Sequence, residues 1–295
     1  MRAGVDLGGT KTEILVLDDE GVERWRRRIA TPKDYPELLA GLAGLAAEAD
    51  SRAGRRCSVG VAIPGSESFG SGLIKNANTV FLNGKPLRAD LEAALGRPVR
   101  LANDANCFVL SEAADGAAAD VRVAFGVIAG TGLGGGVCID GHVLTGAHGV
   151  AGEWGHIPLP GASADEIAEA PLCYCGKRGC LETWCSGPAL AADYRRHGGS
   201  DATAQRIVAS GAPEARAAMA RFTDRLARGL AVVVNILDPD VIVLGGGLSN
   251  IEALYQGLAP LVERYSFTLG GPPRIVKNKH GDSSGVRGAA WLWPG

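Results

Sequence analysis

The sequence predicts an α/β protein built from two related domains. Along its 295 residues, short apolar runs typical of strands alternate with Ala- and Leu-rich helical segments, which is the pattern of an α/β fold. A glycine-containing hairpin occurs twice, because residues 4–18 match residues 126–140 at a constant offset of 122 (126 − 4). This length suits two domains better than one. The repeat therefore predicts two related domains that face one another.

The first domain is expected to cover residues 1–118. Alternating apolar runs, turn residues and helical periodicity define its elements in order. They are strands at 3–7, 11–18 and 22–29, a helix at 36–49, a strand at 57–63, a helix at 88–95, a strand at 99–102 and a helix at 106–116.

The second domain is expected to cover residues 119–295, with its last helix packing back on the first domain. Its predicted elements are strands at 123–129 and 135–140, a long helix at 215–237 and a buried strand at 241–244. Three glycines follow that strand, and Ser249-Asn250 is the expected N-cap of the next helix.

The charge balance argues against nucleic acid as a partner. There are 30 basic and 32 acidic residues, a formal net charge of −2, and the run Arg24–Arg28 fits one face of a solvated strand. No apolar stretch approaches the ~20 residues that cross a membrane, and no signal-peptide pattern opens the chain. We therefore expect a cytoplasmic protein without nucleic-acid or membrane partners.

Three glycine turns predict a nucleotide site. Each ends a strand, so that backbone N–H groups can approach an anion. The hydroxyls of two threonines and one lysine charge add to this, and Asp6 could hold Mg²⁺ through water. The candidate residues are Asp6, Gly8, Gly9, Thr10, Lys11, Gly130, Thr131, Gly132, Gly245, Gly246 and Gly247.

A strand-to-helix junction supplies a candidate catalytic base. Asn103 and Asp104 lie where the strand at 99–102 passes into a helix. Asp104 could be an N-cap, or its carboxylate could accept the proton of a sugar hydroxyl during phosphoryl transfer. Glu153, His156 and Glu182 are further groups of the kind that pair with vicinal hydroxyls.

A cysteine cluster predicts a structural zinc site. Of seven cysteines, Cys57, Cys107 and Cys138 lie in apolar segments, whereas the other four fall within thirteen positions. Three thiolates on a glycine-rich knuckle need a fourth ligand for tetrahedral zinc. His156 is the favoured fourth ligand and Cys185 its rival. The candidate ligands are therefore His156, Cys173, Cys175 and Cys180.

Taken together, these motifs resemble those of the ROK family (repressors, open reading frames and sugar kinases). The resemblance covers essentially the whole chain, and further segments look most like the manno(fructo)kinase branch. The motifs that carry it are Asp6–Lys11, Asn103–Asn106, Gly130–Gly134, Gly152–His156 and Cys173–Glu182.

The resemblance implies a two-lobed actin/hexokinase-like (duplicated ribonuclease H-like) fold with ATP in an inter-lobe cleft. It implies a homodimer that uses ATP, Mg²⁺ and structural Zn²⁺ to phosphorylate the 6-hydroxyl of fructose, and of mannose. Asp104 would be the general base, and the sugar would contact Asn78, Asn103, Glu153, His156 and Glu182.

Other functions remain open from the sequence. Within the kinases, glucose or N-acetylglucosamine is the alternative substrate. A non-catalytic sugar sensor is the alternative of another class. The family's repressors carry an N-terminal helix-turn-helix, whereas here the first strand is expected by residue 3.

Overall fold

The computed structural model describes residues 1–268 and 270–294. Its strands are β1 (Arg2–Leu7), β2 (Lys11–Leu17), β3 (Glu23–Ala30), β4 (Ser58–Ile63), β5 (Ser66–Glu67), β6 (Ile74–Lys75), β7 (Val99–Asn103), β8 (Val123–Ala129), β9 (Leu133–Ile139), β10 (His142–Val143), β11 (Val241–Gly245) and β12 (Ile275–Lys277). Its helices are α1 (Tyr35–Ala53), α2 (Leu87–Leu95), α3 (Asp104–Asp115), α4 (Ala164–Ala168), α5 (Gly187–Arg196), α6 (Ala204–Ser210), α7 (Pro213–Leu237), α8 (Glu252–Tyr265) and α9 (Ser284–Trp291).

The chain divides into two compact units, and one of the boundaries between them falls within β9. Unit 1 comprises Met1–Asp120, Gly136–Ala151 and Lys279–Gly295, and unit 2 comprises Val121–Gly135 and Gly152–Asn278. The two five-stranded sheets have the orders β3-β2-β1-β4-β7 and β10-β9-β8-β11-β12. In each, the first strand of a hairpin also neighbours a later strand that runs parallel to it. This shared topology is the structural counterpart of the repeated hairpin.

Unit 1 is a sheet covered by helices on both faces. One face carries the main core, in which Leu38 and Leu42 of α1 pack with Val5 and Ile14 of the first hairpin. Helix α9 packs against β1, β2, β4 and α3 through smaller apolar clusters. Burial of these apolar faces stabilises the sheet. It thereby fixes the positions of the carboxyl ends of β1 and β7, which carry Asp6 and Asn103.

In unit 2, the parallel pair of β8 and β11 is extended by β12. Helix α7 packs against α8 and α5, and through its buried side chains it also contacts the 3₁₀ turn Leu181–Thr183. The segment from 152 to 185 is largely irregular, and short backbone bridges tie it together.

Two helix starts differ from the expectations. Helix α3 begins at Asp104 rather than 106, because Asn103 is the N-cap and accepts the N–H of Ala105. The predicted cap at Ser249-Asn250 is wrong, because these residues belong to a 3₁₀ turn, Gly247–Asn250, and Ile251 precedes α8. The Ser249 hydroxyl instead donates to the carbonyl of Gly246 at 2.7 Å.

Among the described residues, no helix combines the length and apolar character needed to cross a bilayer.

Candidate active site

The strand-to-helix junction of unit 1 presents an ordered amide beside an exposed carboxylate. Asn103 caps α3 through Oδ1, and its Nδ2 donates to the carbonyl of Gly65 at 3.1 Å. Asp104 is the first helical residue and is solvent-exposed. The cap is therefore supplied by Asn103, and the Asp104 carboxylate lies at the surface, where a ligand can reach it.

Asp6 lies at the carboxyl end of β1 and is electrostatically close to Asp104. Burial, together with the negative charges of Asp104 and Glu13, raises the pKa of Asp6 to about 6. A buried carboxylate next to like charges is a site that a cation would stabilise. This is the character expected of a residue that faces Mg²⁺.

The raised pKa predicts that Asp6→Asn stabilises the folded protein at alkaline pH. Because the folded-state pKa of about 6 exceeds the ordinary 3.8, Asp6 contributes stability below pH ~4 that is lost as the pH rises through about 6. The variant should gain about 3 kcal/mol at pH 8, since the pKa shift of about two units is worth about 1.4 kcal/mol per unit. Thermal unfolding in Mg²⁺-free buffer at pH 5 and pH 8 measures this gain. If the stability gain of Asp6→Asn is as large at pH 5 as at pH 8, the raised pKa of Asp6 is wrong.

Two buried threonines, Thr12 and Thr31, hold the first glycine turn in place. Within the turn, the N–H of Gly8 donates to the carbonyl of Lys11 at 3.0 Å. Thr31 donates from its hydroxyl to the carbonyl of Gly8 at 2.7 Å and from its N–H to Thr10. Its hydroxyl also pairs with that of Thr12 at 2.9 Å. Sequence reasoning missed Thr31, which no motif marks.

The remaining residues of this turn and the predicted sugar ligand Asn78 lie at the surface of unit 1. Gly9, Thr10, Lys11 and Asn78 are all exposed. Thr79, which follows Asn78, places its hydroxyl 3.5 Å from the position that a Cβ on Gly9 would occupy. The structure thus brings Asn78 near the first turn.

In unit 2, the second and third glycine turns line one cavity of about 600 Å³. The third turn approaches the end of β8 closely: Gly246 has φ +77°, and a Cβ there would lie 2.5 Å from the carbonyl oxygen of Ala129. Gly245 is buried as the last residue of β11. The cavity's lining includes Gly130, Thr131, Gly187, Thr203, Gln205, Arg206 and Gly247.

Four of these residues were not predicted from the sequence. Gly187 lies at the start of α5, and Thr203, Gln205 and Arg206 lie at the start of α6. The available signals were two helix N-caps, Ser186 and Thr203, which are common features of surface helices. A cavity of this size with polar groups at its rim has the dimensions of a small-molecule site.

The predicted metal ligands lie together. The ligand atoms of His156, Cys173, Cys175 and Cys180 lie within 4.8 Å of one another. Cys173 Sγ lies 3.6 Å from His156 Nδ1, and Cys175 Sγ lies 3.5 Å from Cys180 Sγ. Sulfur atoms bound to one tetrahedral zinc at 2.3 Å are about 3.8 Å apart, so this donor set fits zinc.

The electrostatics of two of the cysteines also favour a cation. A hydrogen bond from the Lys177 backbone lowers the pKa of Cys175, whereas burial raises the pKa of Cys180 to about 12. Ionising the buried thiol therefore needs a compensating positive charge. The rival ligand Cys185 is fully buried and does not belong to this cluster.

The two remaining acidic candidates flank the cluster in different ways. Glu153 is exposed, with Oε2 4.0 Å from His156 Nε2, and that nitrogen also lies 2.9 Å from the Tyr174 hydroxyl. Glu182 is half-buried, and its Oε2 accepts the N–H of Leu133 at 2.9 Å. Glu182 thus contacts the strand that follows the second glycine turn.

A second cavity, of about 710 Å³, contains none of the predicted site residues. Several of its charged groups form ion pairs, among them Glu166, which binds Arg225 and Arg228, both at 2.8 Å. These arginines hold the pKa of Glu166 at about 2, against the opposing effect of burial. The larger cavity is therefore lined by an ion-pair network, and it is not a second glycine-lined site.

Comparison with known proteins agrees with this architecture. The model of the ROK family matches residues 2–295. An N-acetyl-D-glucosamine kinase of Citrobacter koseri is 42% identical over 299 residues, covering 99% of each chain. A ROK hexokinase of Thermus thermophilus superposes with a TM-score of 0.87 at 33% identity, covering 98% of this chain and 96% of the other.

A third protein was solved with ligands. A ROK family glucokinase of Streptomyces griseus, in complex with glucose and AMPPNP, has a TM-score of 0.77 at 27% identity and covers 99% of this chain and 98% of its own. The predicted α/β, actin/hexokinase-like fold class is confirmed by these matches. Fold and matches together define an ATP-dependent sugar kinase.

The chain belongs to the ROK family.

Proposed function

We propose that this kinase transfers the γ-phosphate of ATP to the 6-hydroxyl of N-acetyl-D-glucosamine. The supporting observation is the 42% identity to an N-acetyl-D-glucosamine kinase along 99% of both chains. The sequence analysis favoured fructose and mannose, with glucose or N-acetylglucosamine as the alternative. The reported relatives support the alternative better than fructose.

Asp104 is proposed as the general base. Its carboxylate is exposed, and its Oδ1 accepts the N–H of Ala105 at 2.8 Å, which orients the group at the start of α3. We propose that this exposed carboxylate accepts the proton of the attacking hydroxyl. Phosphoryl transfer depends chiefly on positioning and electrostatic stabilisation. Asn78, Asn103, Glu153, His156 and Glu182 are proposed to hold the sugar's other hydroxyls and its substituents.

The nucleotide is proposed to bind at the glycine turns. In unit 2, the cavity lined by Gly130, Thr131 and Gly247 supports this assignment. In unit 1, the turn Gly8–Lys11 offers backbone N–H groups and the Lys11 charge. Asp6 would hold Mg²⁺, which when bound neutralises charge that develops on the phosphates.

Zinc is proposed as a structural ion held by His156, Cys173, Cys175 and Cys180. The donor chemistry and the 4.8 Å limit on their separation support this proposal. The ion would order the loop that carries Glu153 and Glu182. A homodimer and lobes at 1–118 and 119–295 stay predictions.

Steady-state kinetics over a panel of free sugars tests the proposed substrate. Coupled ADP release should give N-acetylglucosamine a kcat/KM about tenfold or more above glucose, mannose and fructose, because a site that binds the acetamido group discriminates against sugars that lack it. A preference for fructose or mannose would restore the first prediction. Failure of every sugar to release ADP would support a sensor.

A further inference from the structure

One carboxylate joins the metal cluster to the second glycine turn. Glu182 follows Cys180 by two residues, in the 3₁₀ turn Leu181–Thr183. Its Oε2 accepts the N–H of Leu133 at 2.9 Å, and Leu133 directly follows the turn Gly130–Gly132. All of these residues belong to unit 2.

The turn leaves space for this carboxylate. A Cβ on Gly132 would lie 2.6 Å from Glu182 Oε2. A side chain at 132 would therefore displace the carboxylate from Leu133. Gly132 thus has a second use besides allowing backbone to approach a phosphate.

The segment that carries Glu182 is rigidly held. The backbones of Cys180 and Pro158 form an isolated antiparallel β-bridge. The N–H of Leu181 donates to the carbonyl of Ile157 at 2.9 Å. The Leu181 side chain is fully buried and contacts Gly229 of α7. The position of the Glu182 backbone is therefore set by the core on one side and by the metal ligand Cys180 on the other.

The opposite end of the turn is held by a separate contact. The carbonyl of Gly130 accepts the N–H of Gly187 at 2.7 Å, and the N–H of Gly130 donates to Gly132 at 3.0 Å. Thr131, at the tip between these two anchors, is exposed and lines the cavity. Loss of the Glu182 contact would free one end of the turn and leave the other end fixed.

We propose that Glu182 is a positioning residue for nucleotide binding, because it fixes the turn Gly130–Gly132 relative to the metal-binding knuckle. This inference rests on the proposed assignment of that turn to nucleotide phosphates. A hydrogen bond to a charged acceptor contributes enough that its loss should weaken nucleotide binding about tenfold. Glu182 connects the metal-binding knuckle to the turn. Bound zinc should therefore raise the affinity for nucleotide, and bound nucleotide should raise the affinity for zinc by the same factor.

Nucleotide titration of the zinc-loaded full chain without sugar isolates this role from any sugar contact. Glu182→Ala should raise the Kd for Mg·ADP about tenfold, and Glu182→Gln, which keeps an oxygen acceptor, should stay within about threefold of the parent. Glu182→Asp should behave like alanine, since its carboxylate is drawn back by one carbon–carbon bond, about 1.5 Å. Glu169→Gln is the control, because this exposed glutamate of the same unit pairs with Arg196 rather than with the turn, and it should leave the Kd unchanged.

Two further measurements distinguish the possible failures. Thr131→Val should also raise the Kd; if it does not, the phosphate assignment itself is wrong. If Thr131→Val weakens binding while Glu182→Ala and Glu182→Asp do not, the positioning role is wrong. In the parent protein, ADP should slow the loss of zinc to a chelator, and this protection should vanish in Glu182→Ala and persist in Glu182→Gln. Equal protection in all three proteins would overturn the coupling.

Discussion

Asp104→Asn is expected to reduce kcat by roughly 10³-fold, the usual contribution of a positioned general base. The substitution removes the proton acceptor but changes neither the size nor the shape of the side chain. Because Asp104 is exposed and Asn103 supplies the helix cap, the melting temperature should not fall. Coupled ADP release with saturating sugar and ATP measures the loss of turnover.

The same substitution at Asp34 is the control, because it tests whether any carboxylate at the start of a helix is needed for turnover. Asp34 caps α1 by accepting the N–H of Glu37 at 2.9 Å, and asparagine is an equally good cap. Asp34→Asn should therefore keep full turnover. Turnover within tenfold of the parent in Asp104→Asn would show that another group accepts the proton.

Removal of one metal ligand should give the second large effect. Cys175 is the exposed member of the cluster, so Cys175→Ser costs little packing but removes a thiolate. We expect zinc content to fall from about one equivalent per chain to near zero, and the melting temperature to fall by about 10 °C, because the binding free energy of a structural zinc is folding free energy. Elemental analysis and thermal unfolding measure the two changes.

Cys185→Ala is the control for that experiment. Cys185 is fully buried close to the same segment but lies outside the cluster. Its replacement should destabilise the core modestly and leave the zinc content intact. Loss of zinc from Cys185→Ala, or its retention in Cys175→Ser, would refute the ligand set.

The strands and the grouping of the three cysteines with His156 were accessible from sequence because their signals are local. Apolar runs ended by glycine turns predicted β1, β2, β8 and β11 to within about two residues, and spacing alone predicted which cysteines would meet His156. These features depend on period and spacing, which a single sequence carries.

The features that sequence missed depend on hydrogen bonds that no motif marks, some within one turn and others between distant segments. The start of α3 was placed late because Asn103 and Asp104 can both cap a helix; in the structure Asn103 is the N-cap, and its Nδ2 donates to the distant carbonyl of Gly65. The Ser249 cap failed because its hydroxyl binds Gly246 within its own turn. Thr31 and the Leu133 contact of Glu182 join segments that are distant in sequence. No local motif reports such pairs.

The central claim, an ATP-dependent kinase for N-acetylglucosamine, is tested most directly by competition. Equimolar N-acetylglucosamine, glucose, mannose and fructose are incubated with limiting Mg·ATP, and the sugar phosphates are separated and identified by mass. Products form in the ratio of the kcat/KM values, so a tenfold preference over each rival gives N-acetylglucosamine phosphate about three quarters of the product. A mixture dominated by hexose phosphates would contradict the claim.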